Sequence, residues 1–157
     1  MLYYRSTNGG RDISLAAMRT LTSGALASYP AGALILAWGD GLASAIAGYG
    51  LILLSLICVA AIMGASLQRI VGEEPQRLDE YELKLRARAM SGAYTGLSTL
   101  VLLAIIYFAV GSDAGLWVPA TYEEFNGFFW GAFLYASVLP SAFLSWQVDG
   151  ADVQPEA

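Results

Sequence analysis

Two groups of side chains in this sequence offer acid chemistry: Asp79, Glu80 and Glu82, and the neighbouring Glu123 and Glu124. Acid/base catalysis needs a pair poised about one reacting atom, and metal capture needs three or four converging donors. Neither cluster has a catalytic or metal-ligating spacing. Histidine is absent and Cys58 is the one cysteine, so the usual zinc and haem donor sets cannot be assembled from these residues and no cofactor is expected. Cys58 lies inside an apolar run and reads as a small buried hydrophobe.

The hydroxyls Ser91, Thr95, Ser98 and Thr99 could line a polar path, although in a helix such groups commonly bond their own backbone or a neighbour. Residues 111–126 combine Asp113, Glu123 and Glu124 with Trp117 and Tyr122 and contain no base. Such a segment can hold a cation or basic partner, or be an interfacial loop anchored by its aromatics. Glu123 and Glu124 also suit the first turn of a following helix, where acids favour the positive end of its dipole.

The elements that carry these residues follow from composition. The 157 residues are 57% hydrophobic and 13% charged, whereas a soluble domain is roughly 45 to 50% apolar and 25% charged. A soluble globule is excluded, and apolar runs long enough to cross a bilayer predict an all-α, integral membrane four-helix bundle made of two hairpins. The spans read as residues 21–38, 42–67, 89–110 and 125–147. Asp12 suits an N-cap for the first, and Pro30 near its middle predicts a kink, as Pro140 does in the fourth. Gly39-Asp40-Gly41 is a three-residue break and makes the first two spans antiparallel. The second, roughly 26 residues or about 39 Å, exceeds the ~30 Å hydrocarbon core and predicts tilt. Residues 148–157 read as a disordered tail.

Between the second and third spans lies the charge-dense segment from Arg69 to Arg88. Glu80 with Lys84 and Glu82 with Arg86 are i,i+4 acid-before-base pairs, and Leu78, Tyr81, Leu85 and Ala89 recur at helical spacing. Pro75 after Glu74 suits a helix start, so an amphipathic helix is expected over about residues 75–90, able to run on into the third span. Its two readings are a solvated connector between hairpins and a docking helix that meets a partner through Leu78, Tyr81 and Leu85. The run from Leu78 to Ala89, continuing to Tyr94, resembles the charged Asp-Glu/Arg-Ala juxtamembrane stretch of uncharacterised small multi-pass bacterial inner-membrane proteins. That resemblance implies a bacterial inner-membrane protein and supplies no catalytic residues.

All eight bases (Arg5, Arg11, Arg19, Arg69, Arg77, Lys84, Arg86 and Arg88) fall in the N-terminal arm or after the second span. The positive-inside rule then places both termini and the charged helix in the cytoplasm. A cleaved signal peptide ending at Ala43-Ser44-Ala45 competes for the N-terminus, but its apolar region would be too long and would carry Pro30. No stretch concentrates bases without acids, and the net charge is -5, so nucleic acid is not an expected partner.

Small residues recur every fourth position: Thr20, Gly24, Ser28 and Gly32 in the first span, Ser44 with Gly48 and Ala60 with Gly64 in the second, Gly92 with Gly96 in the third, and Gly127 with Gly131 in the fourth. Such rows let helix backbones approach closely, within one bundle or against a second copy or a membrane-protein partner. No Asp, Glu, Lys or Arg lies inside the four apolar stretches. That argues against proton-coupled transport by one chain. The expectation is a non-enzymatic accessory, scaffolding or regulatory subunit that works by helix packing in the lipid bilayer. The alternative is an oligomeric channel or transporter with a Ser/Thr-lined path.

Overall fold

A computed structural model describes residues 13–148, apart from the side chain of Glu123. The first helix, α1, runs over Leu15–Trp38. Its N-cap is Ser14, whose hydroxyl accepts from the Ala17 amide at 3.2 Å; Asp12, expected in that role, lies outside the described residues. A link of two residues, Gly39 and Asp40, leads into α2, Gly41–Met63. The expected three-residue break is thus one shorter. Gly41 makes that tight reversal with φ +86°, where a side chain would be strained.

Helix α2 stops at Met63 and not at Leu67, because Gly64 to Leu67 turn away before the single-turn helix α3, Gln68–Gly72. Its 23 residues span about 35 Å, close to the bilayer core, which removes most of the mismatch expected for the longer segment. A 3-10 turn follows at Pro75–Arg77. Proline at Pro75 therefore starts a turn and not the charged helix. The reason is local: Leu78 is extended, and Asp79 and Glu82 form a capping box in which the Asp79 carboxylate accepts from the Glu82 amide at 2.7 Å.

From that cap α4 runs unbroken over Glu80–Asp113, 34 residues or about 51 Å, so its first turns project beyond a ~30 Å hydrocarbon core. The charged helix and the third span are one element. After a turn at Gly115, α5 occupies Tyr122–Gln147, three residues earlier than expected. Thr121 caps it, and the Glu124 carboxylate accepts from the Thr121 and Ala120 amides at 2.9 and 2.7 Å. Val148, expected in the tail, is buried and its amide donates to the Leu144 carbonyl. Residues 149–157 lie outside the described residues.

The four long helices pack as two hairpins, α1 with α2 and α4 with α5, joined where α1 meets α5. Helix α3 seats against α4 and α5. All four are long and apolar enough to cross a membrane.

Burial is uneven along this bundle. At the charged end, where Arg19, Arg69 and Glu82 lie, α5 is buried almost all round: Val138, Leu139, Ser141, Ala142, Leu144 and Ser145. Toward the hairpin tips, Leu100, Leu102, Leu103, Ile105, Ile106 and Val110 of α4 face outward, as do Phe129, Trp130 and Phe133 of α5. Only 6% of the most apolar window of α4 is buried inside the chain, against 33% for that of α5. A membrane makes this stable, since lipid offers apolar side chains what a core would.

Candidate functional site

The α1·α5 seam grows from a backbone defect. Proline at Pro30 has no N–H, so the Leu26 carbonyl loses its i+4 donor inside an apolar helix. The Tyr135 hydroxyl of α5 donates to that carbonyl at 2.7 Å. One turn along, the Tyr29 hydroxyl crosses the other way and donates to the Gly127 carbonyl at 2.7 Å. From α2, the buried Ser55 hydroxyl donates to the Ala25 carbonyl at 2.8 Å. Two phenols and one serine thus tie three helices through backbone oxygens. Pro140 likewise removes the i+4 donor of the Ala136 carbonyl in α5.

The small residues sit at the helix contacts. A Cβ on Gly32 would lie 2.6 Å from the Gly48 carbonyl, and one on Gly131 would lie 2.9 Å from Tyr29 Cε1. One on Gly92 would lie 2.9 Å from Phe143 Cδ1, while Gly96 meets the same ring at 3.5 Å and Gly24 meets Cys58 Sγ at 3.6 Å. Ser28 is buried and bonds its own helix at the Gly24 carbonyl. Gly127 has no atom within 4 Å of a built Cβ; its carbonyl carries the contact to Tyr29. The closest approaches therefore join helices of the same chain.

At the charged end Arg19, five positions into α1, spans to the far end of α5. Its Nε donates to the Ser145 carbonyl at 2.8 Å, Nη2 donates to the Val148 carbonyl at 3.2 Å, and the guanidinium lies 4.9 Å from the centroid of the Trp146 ring. Carbonyls at a helix C-terminus lack intrahelical donors and carry the negative end of the dipole, so a cation is favoured there. Beside it, Gln68 and Ser141 share a hydrogen bond and Arg69 Nη2 meets Glu82 Oε1 at 2.6 Å. The expected Glu82–Arg86 pair is not formed, because Glu82 turns to Arg69 and Arg86 Nη1 donates to the Glu73 carbonyl at 2.6 Å.

The stripe proposed for docking is divided. Leu78 and Leu85 are buried, whereas Tyr81 is half exposed. The face that would dock a partner is thus partly covered by its own chain. The hydroxyl residues Ser91, Thr95, Ser98 and Thr99 are all exposed, with Thr99 bonding back to the Thr95 carbonyl. They point away from the other helices and line no path within one chain. At the hairpin tips the acid and aromatic loop is tied down by the Tyr107 hydroxyl, which donates to the Trp117 carbonyl at 2.7 Å, and by an edge-to-face contact of Trp117 with Trp38. Among the described residues no group of His, Cys, Asp or Glu could hold a metal ion.

No family model, curated protein or solved structure matches the chain. Sequence reasoning missed Arg19, Tyr29, Ser55 and Tyr135. Only Tyr135 had a signal: an interior proline announces an orphaned carbonyl four residues earlier, which some buried donor must satisfy.

Proposed function

We propose that this chain is a non-enzymatic accessory, scaffolding or regulatory subunit of a bacterial cytoplasmic membrane, with both termini and the charged end facing the cytoplasm. The observation that supports it is the outward face of α4, which sets exposed Ser91, Thr95 and Ser98 on one side of the apolar stretch that follows its charged first turns. Small and hydroxyl-bearing residues are the ones that bring helices together in lipid, where apolar bulk alone gives no preference for protein over acyl chain. The Gly92/Gly96 and Gly127/Gly131 rows expected to drive association are used against Phe143 and Tyr29 of the same chain, so assembly falls to the hydroxyl face.

Extraction in a mild detergent followed by stoichiometry of what co-purifies is the test. A partner at fixed ratio, lost in Thr95→Phe with the helical content unchanged, is expected. Recovery of a lone chain, or of the same complex from Thr95→Phe, refutes the reading. The outward position of the same hydroxyls favours one second reading: a Ser/Thr-lined path formed between copies that meet along α4. Liposome flux abolished by Thr95→Val or Thr99→Val would establish that instead.

A further inference from the structure

We infer that Lys84 and Arg88, one turn apart on the outward face of α4, hold the headgroup of one anionic phospholipid at the charged end of the bundle. The inference rests on the four helices crossing a bilayer and requires no protein partner.

Three observations carry it. First, these are the two cations that the fold leaves unused among the described residues. Arg19 is engaged by the Ser145 and Val148 carbonyls, Arg69 by Glu82, Arg77 by Glu73 and Glu74, and Arg86 by the Glu73 carbonyl. Lys84 and Arg88 are exposed, and their side chains make no ion pair or hydrogen bond among the described residues. The pairing of Glu80 with Lys84 expected from their spacing is not formed. Glu80 stands at the first position of α4, where the positive end of the helix dipole favours its charge. Second, both cations sit at headgroup depth. Residues 89–112 carry no charge and span about 36 Å, so a ~30 Å hydrocarbon core fits between Arg88 and Asp113. Lys84 lies about 6 Å beyond Arg88, and the headgroup layer is itself about 5 to 7 Å deep on each side. The pair therefore brackets that layer. Third, their order along α4 selects among headgroups. Any phospholipid offers a phosphate to Arg88, whose guanidinium fork suits two of its oxygens. A zwitterionic lipid would then carry its own ammonium outward to meet Lys84, whereas an anionic lipid without an ammonium brings hydroxyls or a second phosphate. Residues at i and i+4 share a helix face, so one headgroup reaches both. Thr95 and Ser98 lie deeper on that face, inside the hydrocarbon, and stay open to a neighbouring helix.

The test titrates the full chain in mild detergent with phosphatidylglycerol or phosphatidylcholine of the same acyl chains, and native mass spectrometry reads the first lipid bound. Each base near an anionic surface contributes about fivefold, so phosphatidylglycerol should bind at least about tenfold more tightly than phosphatidylcholine. Lys84→Gln and Arg88→Gln should each lose about fivefold of that preference, and the double variant nearly all of it. Arg77→Gln removes a base that is 64% exposed but already paired with Glu73, and it should change the preference by less than about twofold. Preference kept in the double variant overturns the inference. So does an equal loss in Arg77→Gln, because net charge and not a site would then select the lipid. Both substituted positions are exposed and glutamine favours helix, so circular dichroism should be unchanged. Lys84→Arg combined with Arg88→Lys keeps both charges without altering the fold and should keep the preference; its loss there overturns the inference as well. Glycerol 3-phosphate in excess should leave the lipid bound. Displacement would identify a site for a soluble phosphate and refute the assignment to lipid.

Discussion

Removing the Tyr135 hydroxyl tests whether the Pro30 defect is what orders the α1·α5 seam. In Tyr135→Phe the ring remains and the 2.7 Å bond to the Leu26 carbonyl is lost. The usual i+4 donor to that oxygen is missing, because Pro30 carries no N–H. An unsatisfied buried acceptor costs about 1 to 3 kcal/mol, and interhelical bonds in membranes average about 0.6 and reach about 1.7 kcal/mol. The absence of that donor places this bond in the upper part of that range, about 1.5 kcal/mol. The decisive comparison is a double-mutant cycle with Pro30→Ala. Alanine restores the amide donor to Leu26, so Tyr135→Phe in that background should cost about 0.5 kcal/mol or less, a coupling of about 1 kcal/mol. Reversible unfolding in mixed detergent micelles measures all four corners. Equal costs of Tyr135→Phe in both backgrounds would refute the reasoning, since the phenol would then contribute independently of the missing amide.

Further outcomes follow from the same geometry. Gly32→Ala forces a methyl to within 2.6 Å of the Gly48 carbonyl and should cost about 1 to 3 kcal/mol in the same assay. Gly50→Ala, with open space around it, should be neutral or stabilise by about 0.5 to 1 kcal/mol, since it adds only helix propensity. Arg19→Gln should destabilise by about 2 kcal/mol and speed amide exchange over the last turn of α5. Arg19→Lys should recover less than half of this, because an ammonium cannot reproduce the guanidinium fork. Asp79→Ala removes the cap of α4 and should cost about 1 kcal/mol, seen as fraying of residues 80–84 in hydrogen exchange.

Spans were legible because bilayer thickness demands long apolar runs, and these survive any packing arrangement. Their ends were less legible. Glu74-Pro75 and Asp79-x-x-Glu82 are both helix starts, and composition does not rank them; a capping box satisfies two amides where Pro75 merely lacks one, so the later start wins. The apolar run carries the expected end of α2 four residues too far, because Ala65, Ser66 and Leu67 are as apolar or small as the helix before them, yet they are buried in a turn. The positive-inside rule places Arg19 among the cytoplasmic bases, and nothing near it in sequence reveals that its partners stand 126 and 129 residues away. Helical spacing alone pairs Glu82 with Arg86, whereas the fold offers it Arg69 from the preceding turn. Local periodicity cannot see a charge that arrives from another element.

The uneven packing of the bundle follows from where its directional bonds lie. Arg19 to Ser145 and Val148, Gln68 to Ser141 and Arg69 to Glu82 all fall at the charged end, with Tyr135 to Leu26 and Tyr29 to Gly127 stepping away from it. Beyond Gly127 the ring contact of Trp38 with Trp117 bridges the two hairpins, while Phe108 with Phe128 and the Tyr107 hydroxyl bond to the Trp117 carbonyl lie within the α4·α5 hairpin. Rings make no comparable demand for one geometry, and in lipid they gain little by leaving acyl chains for one another. The charged end is therefore the rigid base, and the tip halves of the two hairpins are free to adjust their separation about the Tyr29 and Tyr135 bonds. Fluorescence from labels at Ala37→Cys and Phe129→Cys should report a broader distance distribution than labels at Ala16→Cys and Gln147→Cys. Equal widths at both ends would mean that the aromatic contacts alone hold the hairpins as firmly as the hydrogen-bonded base does.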